Sequence, residues 1–557
     1  MKINLLLSTL LLAQGLGLSA QLDSEQEAKI DSLFLSWNQP NHPGGAIGIL
    51  IGEQQVYQKS YGLASLDYLV PIQPSTIFNL ASVSKQFTAM GILVLEQQGR
   101  LSIDDKISTY IPNLTSIGEK ITIRHMLHHT SGIRSFHELL WYAGWRWGDN
   151  RTNEDIYRLM ENQVDLNFEP GDEYMYCNTG YIYMAYIIEK ISGEAFPAWM
   201  KTNVFEPLGM TTAYVEDQPS NVVPGNATSY SGSATVGFER AIDYWSYVGS
   251  GNMHATIYDL LAWGKNFYNP KPGWEDLFQR IQTTDTFNNG KHNQYAFGVN
   301  VIDMNCRKVI RHGGSIGGFR TDFVVLPEEK TVITVLTNHS SSNPGGKTND
   351  IINIITRYQE QQEESTSSEK VRYIKLKAEV LSRFEGSYWT PRNKYMRKIY
   401  LKNDTLRYVR SEGNESPIVP ISKNQFKVLG LGATDVTITF SEKDDGLEMK
   451  ANVDADRDFM YYRFEETAVT NEEIASYAGV YKSEELDVYY HFIWRDEQLV
   501  GYQQRHGYFQ NIVRVKKDVL DADEFIAEFQ RDDAGTITGV QFTSGRVRNL
   551  KLVKVED

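Results

Sequence analysis

A hydroxyl and an amine three residues apart are the first chemistry in the chain. Ser82-Val83-Ser84-Lys85 opens an apolar helical stripe, Phe87, Met90, Leu93 and Val94, which Gly99 ends. Three positions on, a helix returns to the same face, so the Lys85 amine can reach the proton that keeps the Ser82 hydroxyl a weak nucleophile. A helix N-terminus favours negative charge at Ser82 and disfavours a protonated lysine, which inclines Lys85 toward a base. The same spacing recurs at Ser367-Ser368-Glu369-Lys370, without an apolar stripe, and reads there as a solvated polar run.

Two later groups supply what such a nucleophile needs. Tyr176-Cys177-Asn178 falls between Pro170-Gly171 and an apolar helix, Tyr181 to Ile191, in a loop that would present Tyr176 and Asn178 to a cleft. A phenol beside a cationic lysine is suited to shuttling a proton, and Asn178 would orient the lysine and a substrate amide. His312-Gly313-Gly314-Ser315 follows a strand, where glycines allow close approach of backbone to a ligand and leave N–H groups available. A second His-x-Gly, His42-Pro43-Gly44, precedes the nucleophile in a Pro-rich entry loop.

The elements that must position these groups alternate between helix and strand up to about residue 358. Gly45 to Leu50 and Gln55 to Tyr61 form an opening hairpin around Gly52-Glu53, and Thr256 to Asp259 has capping-box form at the start of a helix through Phe267. Phe297 to Ile302, Asp322 to Leu326 and Val332 to Leu336 read as strands. Strands at both ends with helices between them predict one antiparallel sheet joined from distant parts of the chain.

Residues 359–370 are polar and free of aromatics, as a linker would be. Beyond them, short β runs alternate with Gly, Asn and Asp turns. Phe384-Glu385-Gly386-Ser387-Tyr388 and Tyr477-Ala478-Gly479-Val480-Tyr481 begin two similar segments, each continuing into an extended run and a turn. Two units, 371–466 and 467–557, fit two small β-barrels or sandwiches, with one larger all-β domain as the alternative. The expected divisions are therefore 1–20, 21–358, 359–370, 371–466 and 467–557.

The chain has 557 residues, 41% hydrophobic and 22% charged, enough for several packed domains and unlike a disordered chain. Its net charge of -15 repels phosphate backbones, which argues against a nucleic-acid partner. Met1-Lys2, the apolar stretch Leu5 to Leu18 and Leu18-Ser19-Ala20 have the form of a secretory signal over 1–20, placing the product outside the cytoplasm, in the periplasm or secreted, without stable membrane insertion. Cys177 and Cys306 are too few for a disulfide framework, although a single bridge is open to them.

Ser-x-x-Lys, Tyr-x-Asn and His-x-Gly in this order resemble the serine β-lactamase-related superfamily, in the branch of class C β-lactamases, D,D-carboxypeptidases, D-aminopeptidases and related esterases (peptidase S12-like). The flanking stretches agree: Phe78 to Ala81, Ile123 to Gly132, Phe168 to Gly171, Pro207 to Met210 and Gly249 to Met253. The resemblance spans about residues 27 to 358 and implies an α/β (α+β) catalytic domain of β-lactamase/transpeptidase type, its antiparallel sheet flanked by helices, followed by the all-β region. It implies that Ser82 forms an acyl-enzyme, with Lys85 and Tyr176 as the coupled acid/base pair and His312 in the third motif. Asn178, Gly313, Gly314 and Ser315 would then bind substrate. The N–H groups of Ser82 and Ser315 would form an oxyanion hole, worth ~2.7 to 4 kcal/mol per donor. No cofactor is implied.

The third motif departs from the family pattern. True β-lactamases usually carry Lys-Thr-Gly there, so His312-Gly313-Gly314 lacks a permanent cation for a substrate carboxylate. The expected substrate is a D-amino-acid peptide or small ester rather than a β-lactam, and the alternative is a catalytically weak penicillin binder or sensor of cell-wall fragments. His125, His128 and His129 have metal-ligand spacing but no acidic partner, and packing is the stronger reading. Cys177, between two outward-directed residues, is expected to point inward rather than serve as a nucleophile. Trp141, Tyr142, Trp145 and Trp147 either line the cleft mouth or anchor a surface lobe.

Overall fold

The computed structural model describes residues 21–357 and 373–555, apart from 115, 242–244, 305, 412–413, 431–435, 444–445, 454–456, 467–469, 511 and 523. The expected signal over 1–20 and the linker at 359–370, with its second Ser-x-x-Lys, lie outside the described residues. The chain forms two compact units, one from residues 1–103, 184–286 and 291–365, the other from 104–183, 287–290 and 366–557.

The first unit is built on a six-stranded antiparallel sheet. Its strands are β1 (Gly45–Ile51), β2 (Gln54–Tyr61), β3 (Asn300–Asp303), β4 (Lys308–Ile316), β5 (Phe319–Leu326) and β6 (Thr331–Thr337), in the order β3-β4-β5-β6-β1-β2. The opening hairpin thus joins the last strand, from Gly45 opposite Thr337 to Ile51 opposite Thr331. This is the sheet expected from strands at both ends of the region. The β3 strand begins later than the apolar run suggests, because Phe297 and Gly298 lie in the turn before it.

The run Gly45–Ile51 is buried throughout, since both faces of the sheet are covered. Ile47, Ile49 and Ile51 join Val309, Val324, Ile333 and Val335 in one cluster with Ile30, Phe34, Ile351 and Ile355 from helices and turns at either end of the unit. On the other face, Gly48 lies against Leu261 of the helix Ile257–Lys265, whose Thr256 cap accepts from the Asp259 N–H in the expected capping box. The helix Lys85–Gln97 does not show one apolar stripe only. It buries every residue from Lys85 to Leu95, and its polar groups are matched inside: Gln86 accepts from Trp263 Nε1 at 2.6 Å, and Thr88 donates to the Gly249 carbonyl at 2.7 Å.

In the second unit, residues 104–183 form a lobe of short helices. The all-β expectation for the C-terminal region holds. Eight strands from Gly386–Thr390 to Arg457–Phe464 close into a barrel around Tyr388, Ile399, Phe426, Ile438, Phe440 and Met449. Nine further strands, from Gly479–Ser483 to Val547–Val555, make a second antiparallel sheet. The two similar segments read from the sequence match in detail. Tyr388 donates to the Phe384 carbonyl at 2.7 Å and Tyr481 to the Tyr477 carbonyl at 2.9 Å, each spanning four residues. Each following hairpin turns through two residues of positive φ, Asn403-Asp404 and Asp496-Glu497, as tight two-residue turns require.

The aromatic segment Trp141 to Trp147 serves as an anchor within this unit. Trp141 stacks on His506 at 4.8 Å, Tyr142 donates to Ser544 Oγ at 2.8 Å and receives a hydrogen bond at its carbonyl from Tyr490, and the Arg505 guanidinium lies 5.7 Å from the Trp145 ring. Beneath them, Arg134 and Glu485 form an ion pair at 2.6 Å, with side chains only 1% and 7% exposed.

Candidate active site

Ser82 lies not in the first turn of an α-helix but in a 3₁₀ turn, Ala81–Ser84, that leads into the helix at Lys85. Side chains three apart eclipse one another in a 3₁₀ turn, which brings them closer than α-helical geometry would. Lys85 Nζ accordingly stands 3.1 Å from Ser82 Oγ and also donates to the Ser250 carbonyl at 2.7 Å. The lysine is fully buried and the serine half-buried.

The turn is held by its own neighbours. Ala81 takes a φ of 48°, a left-handed conformation unusual for alanine, and its N–H donates to Asn79 Oδ1 at 2.8 Å. Asn79 is in turn bonded to Asn252 at 3.1 Å, the Leu80 N–H donates to the Met253 carbonyl at 2.7 Å, and Ser84 Oγ accepts from the Met253 N–H at 3.2 Å. The Gly249 to Met253 stretch is therefore the scaffold of the Ser82 turn. In the sequence it was visible only through its resemblance to the family.

The His312 motif sits in the same unit. Gly314 packs so closely on the Ser82 turn that a Cβ there would collide with the Leu80 carbonyl oxygen and Thr321 Oγ1, which is why glycine occupies this position. Thr321 in turn donates to the Leu80 carbonyl at 3.0 Å. On its other side, β4 pairs with β3 only as far as Arg311, opposite Asn300. Gly313 and Ser315, both exposed, thus follow the end of that pairing, in a stretch whose edge is suited to an extended ligand.

His312 itself is buried and neutral. Its Nδ1 lies 2.6 Å from the Gly313 carbonyl and its Nε2 lies 3.0 Å from the Tyr295 hydroxyl, so Nδ1–H donates and Nε2 accepts from the phenol. Burial, reinforced by the charge of Lys85, pushes its pKa down to about 3. His312 therefore does not restore, at any ordinary pH, the cation that a lysine would carry in this motif.

Tyr176 and Asn178 belong to the second unit. Tyr176 packs against the His129 ring at 4.3 Å, and the Arg546 guanidinium lies 5.0 Å from its ring centre. His129, at a φ of 58°, accepts from the Cys177 N–H through Nδ1 at 3.2 Å, and its carbonyl accepts from the Met175 N–H at 2.9 Å. This residue carries out the positioning that the His125-to-His129 spacing had left open. His125 instead completes the capping box at Thr122, and no group of three or more metal-capable residues occurs among the described residues. Asn178 begins the helix Asn178–Ser192, and its Oδ1 is buried with no hydrogen-bond partner among the described residues.

Cys177 points inward as expected. Its sulfur donates to the Ile133 carbonyl at 3.2 Å, burial pushes the thiol pKa up, and both cysteines are free. His42, of the other His-x-Gly, is packed edge-on to Phe238 and His339 at 4.9 and 5.3 Å. No helix among the described residues is long and apolar enough to cross a membrane.

The chain is 26% identical over 300 residues to a D-aminopeptidase of Gluconobacter oxydans (strain 621H), covering 54% of this chain and 56% of that one. It is 29% identical over 335 residues to penicillin-binding protein 4* of Bacillus subtilis (strain 168), covering 56% and 71%. The chain thus spans little more than half the length of the first of these relatives. The octameric penicillin-binding protein homologue from Pyrococcus abyssi has a similar fold, with a TM-score of 0.52 at 22% identity, covering 79% of this chain and 99% of that one. Residues 26–356, which hold the serine–lysine turn, the Tyr-x-Asn loop and the His-Gly-Gly strand, match the beta-lactamase family over more than half of the sequence, and the chain belongs to that family.

Proposed function

We propose that this protein is an exported serine hydrolase that cleaves a peptide, amide or ester bond through an acyl-enzyme. The observation that carries the reading is Lys85 Nζ, fully buried and 3.1 Å from Ser82 Oγ. In this mechanism Ser82 Oγ attacks the substrate carbonyl carbon while its proton passes to the Lys85 and Tyr176 pair. The N–H groups of Ser82 and Ser315 hold the oxyanion, the proton returns to the departing amine or alcohol, and water then hydrolyses the ester. Asn178 Oδ1, buried and without a partner among the described residues, is suited to accept from a substrate amide N–H.

The neutral His312 favours a D-amino-acid peptide, amide or small ester over a β-lactam, because the third motif supplies no fixed charge for a carboxylate. The D-aminopeptidase relative points the same way. Export to the periplasm or the exterior rests on the signal-like residues 1–20, and the catalytic region is assigned to 21–358.

A fluorophosphonate probe tests the reading. It is expected to label the wild-type protein and not Ser82→Ala, with the circular dichroism spectrum unchanged. Equal labelling of the variant removes Ser82 from the mechanism. Turnover of D-amino acid amides, p-nitrophenyl esters and D-Ala-D-Ala peptides, compared with nitrocefin, then ranks the substrates. Tight penicillin capture without hydrolysis of any of them supports the sensor instead.

A further inference from the structure

We propose that Arg546, on the turn between the last two strands of the C-terminal sheet, is a positioning residue for the reaction, its guanidinium orienting the Tyr176 phenol and favouring its anionic form. The inference rests on the acyl-transfer reading for its importance but on the second unit alone for its geometry.

The guanidinium lies 5.0 Å from the Tyr176 ring centre, within the ~6 Å over which a cation is attracted to an aromatic face. Its placement is built into the fold. The Arg546 carbonyl accepts from the Ser135 N–H at 3.2 Å and from Asn167 Nδ2 at 2.9 Å, while Asn167 Oδ1 accepts from the Arg548 N–H at 2.8 Å. Arg134, paired with Glu485, donates to the Arg548 and Asn549 carbonyls at 3.1 and 3.2 Å. Backbone on both sides of Arg546 is thus fastened to the same lobe that carries Tyr176. A residue far downstream of the Tyr-x-Asn loop, Arg546, is held over the Tyr176 ring.

Lys85 is the other cation of the proposed acid/base pair, and three further groups near Tyr176 bear on its charge. His129 presents its ring at 4.3 Å and uses Nδ1 for the Cys177 N–H. The Cys177 thiol is pushed up in pKa by burial and stays neutral. Glu173 is tied to Arg548 at 3.1 Å and to Arg392 at 2.5 Å, so the Arg548 guanidinium is engaged with a carboxylate. Arg546 is a cation directed at the ring itself, and a nearby cation stabilises a phenolate over a phenol.

The test is an ionisation measurement that needs no turnover. In protein labelled with ¹³Cζ-tyrosine, the Tyr176 resonance is assigned through Tyr176→Phe and followed against pH in wild type, Arg546→Gln and Arg546→Lys. Arg546→Gln keeps most of the stem and removes the charge. Its Tyr176 titration is expected to move to higher pH by about one unit, equivalent to a tenfold change in the ionisation constant, with Arg546→Lys restoring most of the shift. Arg548→Ala serves as the control for a cation on the same hairpin and is expected to leave the titration in place.

In the kinetic arm, kcat/KM of Arg546→Gln falls about tenfold on the acidic side of the profile and recovers at high pH. An unmoved Tyr176 titration in a folded Arg546→Gln protein overturns the proposal, as does an equal shift in Arg548→Ala. Should the wild type resist fluorophosphonate, the acyl-transfer reading falls by itself, while the resonance still decides whether Arg546 acts on Tyr176.

Discussion

The Ser82 turn and the Tyr176 loop hold their side chains by different means. Around Ser82 the fixing contacts are buried and lie in one unit: Asn79, Met253 and Ser250 hold the backbone and the amine, and Gly314 closes against the turn from the sheet. Around Tyr176 the neighbours come from a histidine some way upstream and from a hairpin near the end of the chain. The first group is set by a turn whose spacing is written locally. The second is set by docking of the C-terminal sheet onto the helical lobe, so a tail without such a motif of its own still shapes the environment of Tyr176.

Substitutions can break this comparison at either end. The largest effect is expected at the amine: Lys85→Ala removes the group 3.1 Å from Ser82 Oγ and is expected to lower kcat by about 10² to 10⁴, read from the acylation rate with a chromogenic ester. A rate within a fewfold of wild type would mean that the turn does not depend on the lysine. On the other side, Glu485→Ala leaves Arg134 buried without its carboxylate and is expected to destabilise the second unit by about 3 to 5 kcal/mol, measured by urea unfolding. If the loss were small, docking of the tail would not rest on that pair.

Gly314→Ala sharpens the first half of the comparison. Its new methyl collides with the Leu80 carbonyl and Thr321, and a cost of about 1 to 3 kcal/mol in thermal stability is expected, with a fall in activity because the strain falls beside Ser82. An alanine tolerated at no cost would show that the sheet and the turn can separate.

The last effect, spread over several pH units, is in pH dependence. His312 is neutral in the folded state down to about pH 3 but takes up a proton near 6.5 when unfolded, so the unfolded state binds more protons between these values. Folding stability is therefore expected to fall as pH drops through that window, by at most about 1.4 kcal/mol per pH unit from this group. His339, also pushed down to about 3 by burial, adds to the same slope. Denaturation of His312→Gln between pH 6.5 and 4 is expected to give a shallower dependence, and an unchanged slope would argue against a buried neutral imidazole at 312.

Much of the architecture was legible along the chain, and the exceptions have identifiable causes. The sheet followed from apolar runs at both ends, the Thr256 cap from its box, and the paired β segments from their Gly and Tyr positions. The helix after Ser82 was read as one stripe because periodicity cannot distinguish a half-buried helix from one whose polar residues find partners inside. The spacing of His125, His128 and His129 favours packing over a metal, but spacing along a helix says nothing of a left-handed residue such as His129 that turns its ring toward a loop. The role of the tryptophan segment depended on which surface the C-terminal strands cover.

By itself the sequence determined what depends on neighbours in the chain: a hydroxyl and an amine separated by one turn, strands that alternate or run wholly apolar, and turns set by glycine, asparagine and aspartate. The tertiary structure decided what depends on residues far apart. It gave Ser82 its 3₁₀ turn against Gly314, removed the charge from His312 by burying it, and set the Arg546 guanidinium over Tyr176. The reason is physical: backbone preference acts over a few residues, whereas burial and electric field depend on everything packed within several ångströms, whatever its place in the sequence.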